Sequence, residues 1–249
     1  MTPVLETRGL CKSFGALTVA DRVNFRLDPG VRHALIGPNG AGKTTFVNML
    51  TGRLAPSAGQ VLLGGEDVTG LSQAARVKRG LGRTFQINTL FRDMSVLDNV
   101  ALGIAERLGV AGRMWRPASA HAEVRDEALA LLVGLGLQDD ARRRIVDLPY
   151  GKQRLVEIAI ALGLTPKVLL LDEPAAGVPS LESHRIVGAL DRLPGSIAIL
   201  IIEHDMDLVF RFAQRITVLV QGEVLREGVP ADIADDPRVR QVYLGERHG

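Results

Sequence analysis

The sequence predicts an α/β fold: a mostly parallel sheet covered by helices, with a β-rich N-terminal section and a helical insertion. Three observations carry this reading. Short apolar runs, Val31–Ile36, Val168–Leu171, Ile197–Ile202 and Ile216–Val220, are spaced by stretches of helical character, the pattern of strands buried on both faces. A glycine-rich turn, Gly37 to Gly42, lies between a strand-like run and an amphipathic one. From about Ile87 to Leu162 the strand signal fades, and apolar residues return at helical spacing.

In chain order, Leu5–Phe14 and Val23–Leu27 read as strands, and Asp28-Pro29-Gly30 is a turn that leads into the strand Val31–Ile36. Thr45–Leu50 reads as the helix after the glycine turn. Val124, Ala128, Leu131, Leu132 and Leu135 mark one face of a helix in the insertion. Residues 109–120, with Gly109, Gly112 and Pro117, read as a loop in which Trp115 is expected to pack, with anchoring of a partner as the rival reading. The expected division of the single domain 1–249 assigns residues 1–86 and 163–230 to the core with its β section. Residues 87–162 form a helical subdomain and 231–249 a helical tail.

Composition narrows the function classes. At 46% apolar and 23% charged residues, the 249-residue chain can bury a sizeable core and is neither disordered nor fibrous. Thirty basic residues against 28 acidic ones leave a net charge of +2, too small to argue for a nucleic-acid partner. The run Arg142-Arg143-Arg144 reads as a solvated surface, with a binding role as the alternative. Cys11 is the single cysteine, which excludes an intrachain disulfide and fits a reducing compartment. Glu6, Arg8 and Lys12 interrupt the region where an export signal needs an apolar stretch. The longest apolar runs are far shorter than the ~20 residues that span a bilayer.

The chemistry starts at Gly37-Pro38-Asn39-Gly40-Ala41-Gly42-Lys43-Thr44, with Thr45 next. Strand, glycine-rich loop and helix in this order form the phosphate-cradling motif of nucleoside triphosphate sites. Gly37, Gly40 and Gly42 permit backbone geometry in which successive N–H groups curve around phosphate oxygens at the positive end of a helix. Lys43 supplies a mobile charge for the β- and γ-phosphates, and the Thr44 hydroxyl suits a magnesium position. Farther on, the apolar run 168–171 ends in Asp172-Glu173. At the end of a strand Asp172 can hold the metal, and Glu173 can face a water in line with the γ-phosphate. In open sheets of this class ligands bind beyond the carboxyl ends of the strands, where Gly37 and Asp172 both fall.

An ordered series of segments then resembles the ATP-binding cassette subunits of ABC transporters. It runs through Phe14, the phosphate loop, Gln86 in Arg83-Thr84-Phe85-Gln86, Leu148-Pro149-Tyr150-Gly151-Lys152-Gln153, Asp172-Glu173, and His204 in Ile202-Glu203-His204-Asp205. The resemblance implies a P-loop NTPase (RecA-like) core with an N-terminal antiparallel β subdomain and an inserted helical subdomain. By the same resemblance ATP and Mg2+ are the cofactors, Phe14 stacks on adenine, Gln86 senses magnesium and the attacking water, and His204 contacts the γ-phosphate. Each role has a plain rival: core packing for Phe14, a surface amide for Gln86 and a hydrogen-bonded surface histidine for His204.

Leu148 to Gln153 is similar to the family segment that closes over a nucleotide held by a second cassette, with N–H groups of Tyr150 and Gly151 at the start of a helix. Two departures stand out: Pro149 replaces the usual serine, removing a hydroxyl and an N–H, and Pro179 stands where the family often has Asp. Arg83-Thr84-Phe85-Gln86 with Leu90-Phe91-Arg92, Ala175-Ala176-Gly177, Glu203-His204-Asp205-Met206 and Tyr243-Leu244-Gly245-Glu246 look closest to cassettes of branched-chain amino acid importers and their relatives for amides and urea.

This implies an ATPase coupled to transport at the cytoplasmic face of a prokaryotic inner membrane, held peripherally. Its implied partners are a second cassette, two transmembrane permease subunits and, indirectly, a solute-binding protein. Leu90, Phe91 and Met94 are candidates for the groove that receives a permease helix, with core packing as their rival reading. A soluble cassette ATPase acting on nucleic acid or ribosomes, and a weakly hydrolysing regulatory cassette, are the alternatives.

Overall fold

The structure, a computed structural model, describes residues 2–84, 90–110 and 121–245, with backbone alone for residues 180–182 and 243–245. Two long strands, β1 (Leu5–Phe14) and β2 (Leu17–Leu27), pair antiparallel. The second begins six residues earlier than its apolar run suggests. Its first half carries Asp21 and Arg22, and Arg22 takes a left-handed φ of 45° where the ladder shifts register, so alternation is broken there. The turn at 28–30 leads into β3 (Arg32–Ile36) and, past the glycine loop, α1 (Lys43–Leu50).

β4 (Ala58–Leu63) returns to pair with β1, and the two-residue β5 (Glu66–Asp67) completes an antiparallel sheet of order β2-β1-β4-β5. A short helix, α2 (Gln73–Lys78), precedes β6 (Leu81–Arg83). The expected helical section follows as α3 (Val96–Arg107), α4 (Ala122–Gly134) and α5 (Tyr150–Gly163). Val124, Ala128 and Leu132 form the buried face of α4, and Ser95 caps α3 by accepting from Asp98 N at 3.0 Å.

The chain then alternates through β7 (Val168–Asp172), α6 (Ser180–Asp191), β8 (Ala198–Ile202), α7 (Met206–Phe212), β9 (Arg215–Val220), β10 (Glu223–Gly228), α8 (Pro230–Asp235) and α9 (Pro237–Gly245). The second sheet has the order β10-β9-β3-β8-β7-β6. All its pairings are parallel except that of β10 with β9.

Residue parity divides the core between the two faces of this sheet. Ala34, Leu169, Leu171, Ile199 and Ile201 face the helical side, while Leu35, Val168, Leu170, Ala198 and Leu200 face α1 and the antiparallel sheet. The central strands β7 and β8 are buried on both sides along their whole length, which is why they read as apolar runs. Among the described residues no helix is long and apolar enough to cross a membrane.

Among the buried polar side chains of this core is a histidine. His33 on β3 is fully buried against the Phe25 ring, with centroids 4.9 Å apart, and its Nε2 lies 2.8 Å from Thr217 Oγ1. Burial lowers its pKa from 6.5 to about 3, and the charge of Arg215 adds to the shift. The unfolded chain therefore binds a proton that the folded chain refuses between those values. The stability linked to His33 is complete above pH 6.5 and falls as pH drops toward 3, by up to ~1.4 kcal/mol per pH unit. Urea unfolding at pH 7 and pH 5 should show the parent chain losing about 2 kcal/mol more than His33→Gln on acidification. Equal losses would assign the acid sensitivity to other groups.

Candidate functional site

Three parallel strands lie side by side with their ends level. β3 pairs with β8 through Leu35 and Ile202, and β8 with β7 through Ile202 and Asp172. The chain therefore leaves the sheet at one edge in three places, at Gly37, at Glu173 and at Glu203. This shared edge brings together the phosphate loop, the acidic pair and the histidine segment.

The loop from Gly37 to Gly42 is fixed by its own backbone and by neighbouring strands. Ala41 N donates to Pro38 O at 3.2 Å, and Gly222 N donates to Ala41 O at 3.0 Å. A Cβ on Gly37 would lie 2.1 Å from Leu219 O, and one on Gly42 would lie 2.5 Å from Val19 O. Gly42 also has φ 96°, open to glycine and strained for other residues. Backbone packing from β9 and β2 thus requires glycine at these two positions before any ligand is considered. Asn39 and Gly40 are exposed at the tip, and Pro38 is half-buried.

Gly42 is the N-cap of α1 and offers no side chain to it. The first-turn N–H groups of Lys43, Thr44 and Thr45 precede any carbonyl of the helix to which they could donate. An uncapped helix start with its positive dipole end suits an anion. Lys43 folds over the loop, its Nζ donating to Gly37 O and to Pro38 O, the latter at 2.9 Å. A cation therefore stands at the mouth of the curl. Thr44 is exposed on the first turn and Thr45 half-buried behind it.

Asp172, the last residue of β7, is buried, and its Oδ2 accepts from Arg83 Nη2 at 2.9 Å. Arg83, equally buried at the end of β6, also donates to Asn48 Oδ1 of α1 at 3.0 Å. One guanidinium thereby links the acid strand to the helix behind the phosphate loop. The Asp172 carboxylate and the Thr44 hydroxyl are hard oxygen donors, a set that fits magnesium.

Glu173 sits beyond the strand end with φ 47°, an unusual left-handed conformation for a non-glycine residue, held by its N–H donating to Ile202 O at 2.9 Å. Its side chain is a third exposed, and Oε1 lies 3.8 Å from Nδ1 of the largely exposed His204. Asp205, next to His204, caps α7 by accepting from Asp207 N and Leu208 N. The histidine is thus set on the turn between β8 and α7.

Phe14 is about half exposed beside Lys12, whose Nζ stands 5.1 Å from the ring centroid. Core packing is therefore excluded for this ring. Gln86 and Trp115 lie outside the described residues. Leu90 is buried in the helical-side core, Phe91 is exposed and Met94 is half-buried, so the three candidates for a partner groove part company. Arg143 and Arg144 are exposed and paired locally with Asp140 and Asp147.

At the start of α5, Pro149 is the N-cap, one position outside the helix, and contributes no side-chain cap. Lys152 N and Gln153 N both donate to Pro149 O, leaving Tyr150 and Gly151 as the first helical N–H groups. The Tyr150 ring lies under Arg154, 5.2 Å from its guanidinium carbon, and Arg154 pairs with the buried Glu157 at 2.9 Å.

Two residues of this site were not singled out by sequence reasoning: Arg83, quoted only as part of a motif, and Glu203. The Glu203 carboxylate is buried, accepting from Ala175 N and from His204 N, each at 3.2 Å. Burial pushes its carboxyl up from the ordinary range, and the N–H donors oppose the shift.

Comparison with known proteins covers nearly the whole chain. Residues 20–176 match the family model described as ABC transporter, and residues 223–249 match that of the branched-chain amino acid ATP-binding cassette transporter. The high-affinity branched-chain amino acid transport ATP-binding protein LivG of Escherichia coli (strain K12) is 39% identical, and the alignment covers 98% of each chain. Among solved structures, the ADP conformation of MJ1267, an ATP-binding cassette of an ABC transporter, superposes with a TM-score of 0.87 at 31% identity. It covers 98% of this chain and all of that one. The dimeric structure of MJ0796, a bacterial ABC transporter cassette, has a TM-score of 0.75 at 26% identity, covering 91% and 98%. The fold class read from the sequence is borne out by these likenesses.

The Arg83–Asp172 pair gives a direct test of how the site is held. Arg83→Ala strands a buried carboxylate and should cost about 3 kcal/mol in urea unfolding at neutral pH, the penalty of breaking a buried pair. An unchanged midpoint would show that Asp172 does not depend on this guanidinium.

Proposed function

The chain belongs to the ATP-binding cassettes of ABC transporters, and from that membership we propose that it is the ATP-hydrolysing subunit of an importer for branched-chain amino acids or related small amino acids and amides. The carrying observation is the convergence of the phosphate loop, Asp172-Glu173 and His204 on one edge of the parallel sheet, where β3, β7 and β8 end level. The C-terminal match and the full-length likeness to LivG support the substrate class.

ATP is the substrate. The first-turn amides of α1 and the loop from Gly37 to Gly42 hold its phosphates, and Lys43 neutralises charge at the β- and γ-positions. Phe14, exposed at the end of β1, offers a flat face to the base. Thr44 and Asp172, with Gln86, would hold Mg2+, which when bound supplies Lewis-acid stabilisation of the phosphate oxygens.

Glu173 accepts the proton of the attacking water, and its left-handed backbone turns the carboxylate out of the strand toward that position. His204 donates to a γ-phosphate oxygen and lies close enough to Glu173 for both to face one reacting group. Tyr150 and Gly151 present the start of α5 to the nucleotide held by a second cassette, an arrangement supported by the dimeric relative. Pro149 supplies neither a hydroxyl nor an N–H to that contact, which favours a weaker composite site there than at this chain's own loop. The subunit works peripherally at the cytoplasmic face of the membrane, with residues 87–162 as the helical subdomain that meets two permease subunits.

Glu173→Gln keeps the shape and the hydrogen-bonding capacity but not the basicity. In the assembled transporter it should retain ATP binding and lose at least ~100-fold in turnover, as expected for a positioned base. Near-normal hydrolysis by this variant would remove Glu173 from its role.

A further inference from the structure

Backbone pairing between β7 and β8 ends with Glu173 N donating to Ile202 O. Beyond that bond one chain turns through Pro174 and Ala175, and the other through His204 into α7. The Glu203 side chain crosses the gap that opens between them. Its Oε1 accepts from Ala175 N and its Oε2 from His204 N, each at 3.2 Å. The side chain is 1% exposed. Among the described residues no lysine or arginine stands within 4 Å of it, and the His204 ring is 4.0 Å away.

Burying a carboxylate without a lysine or arginine partner is costly. A smaller polar or apolar residue would fill this space at less cost but would not bind two amides at once. Carboxylate geometry fits that task, since its two oxygens accept from two directions without a donor of their own to place. The two amides belong to the segments that carry Glu173 and His204, whose side chains lie 3.8 Å apart.

We infer that Glu203 is a positioning residue: its carboxylate fastens the turn after β7 to the turn after β8 and so sets the spacing of Glu173 and His204 over the reacting phosphate. This rests on the ATPase reading given above. Glu203 does not touch the substrate in this role, and its effect runs through the two residues it aligns. The bond to Ala175 N also holds the start of the 175–179 turn, so the clamp extends toward the segment that would face a second cassette.

The experiment compares Glu203→Ala and Glu203→Gln with the parent in the assembled transporter, and measures amide hydrogen exchange in the full nucleotide-free chain. Glu203→Ala should lower kcat for ATP about 30-fold or more with KM changed less than about 3-fold, the pattern of lost alignment rather than lost binding. Exchange at the Ala175 and His204 amides should quicken about 10-fold or more as their acceptor is removed. Glu203→Gln keeps one accepting oxygen and should recover most of the turnover, and it covers the case in which the alanine variant folds poorly. In a His204→Ala background, Glu203→Ala should cost less than about 3-fold further, because coupled residues are not additive.

An unchanged kcat beside a normal parent, fully additive losses, or unaltered exchange at both amides would overturn the role given to Glu203. A parent assembly with no ATP turnover would instead overturn the functional reading on which that role rests.

Discussion

Parallel register is the constraint on which the site depends. Because β3, β8 and β7 lie side by side with Leu35, Ile202 and Asp172 in line, segments more than 130 residues apart in sequence leave the sheet at the same height. No local feature could place a lysine-bearing loop beside an acidic pair from the far half of the chain. The pairing is secured by apolar residues on both faces of each strand, divided by parity between the helical side and the side of α1. Burial on two faces fixes the register, since a slip of one residue would exchange the two sets.

The same edge carries the costs that such a site entails. α1 starts without a side-chain cap, Glu173 is held in a left-handed conformation, and the acids Asp172 and Glu203 are buried. Each feature is locally unfavourable, and each is offset by a specific neighbour. Lys43 lies over the loop carbonyls, Ile202 O holds Glu173 N, Arg83 pairs with Asp172, and two amides bind Glu203. The cation Lys43 lies on the loop and helix segment, and the carboxylates Asp172, Glu173 and Glu203 lie on the ends of β7 and β8.

Much of this was legible in the sequence because it is written in local patterns. The unbroken apolar runs gave β3, β7, β8 and β9 to within a residue or so, and the run from Gly37 to Thr44 carries its loop and helix context with it. Other elements hide for physical reasons. β6 has three residues, too few to show a period, and β10 carries Glu223, Arg226 and Glu227 on an edge strand. The first half of β2 is obscured by Asp21 and Arg22 at a register shift. Glu203 and Arg83 read in sequence as ordinary charged residues, since only the sheet reveals that each is buried between two strand ends. The exposure of Phe14 likewise needed the fold, because an aromatic at a strand end fits the core equally well by pattern.

The central claim is that the loop from Gly37 to Gly42, the uncapped start of α1 and Lys43 together grip a nucleoside triphosphate. Isothermal titration of the purified full chain with ATP in the presence of magnesium tests it most directly. Saturable binding with one nucleotide per chain is the result this account predicts. Absence of any measurable affinity for ATP in a folded sample would contradict it.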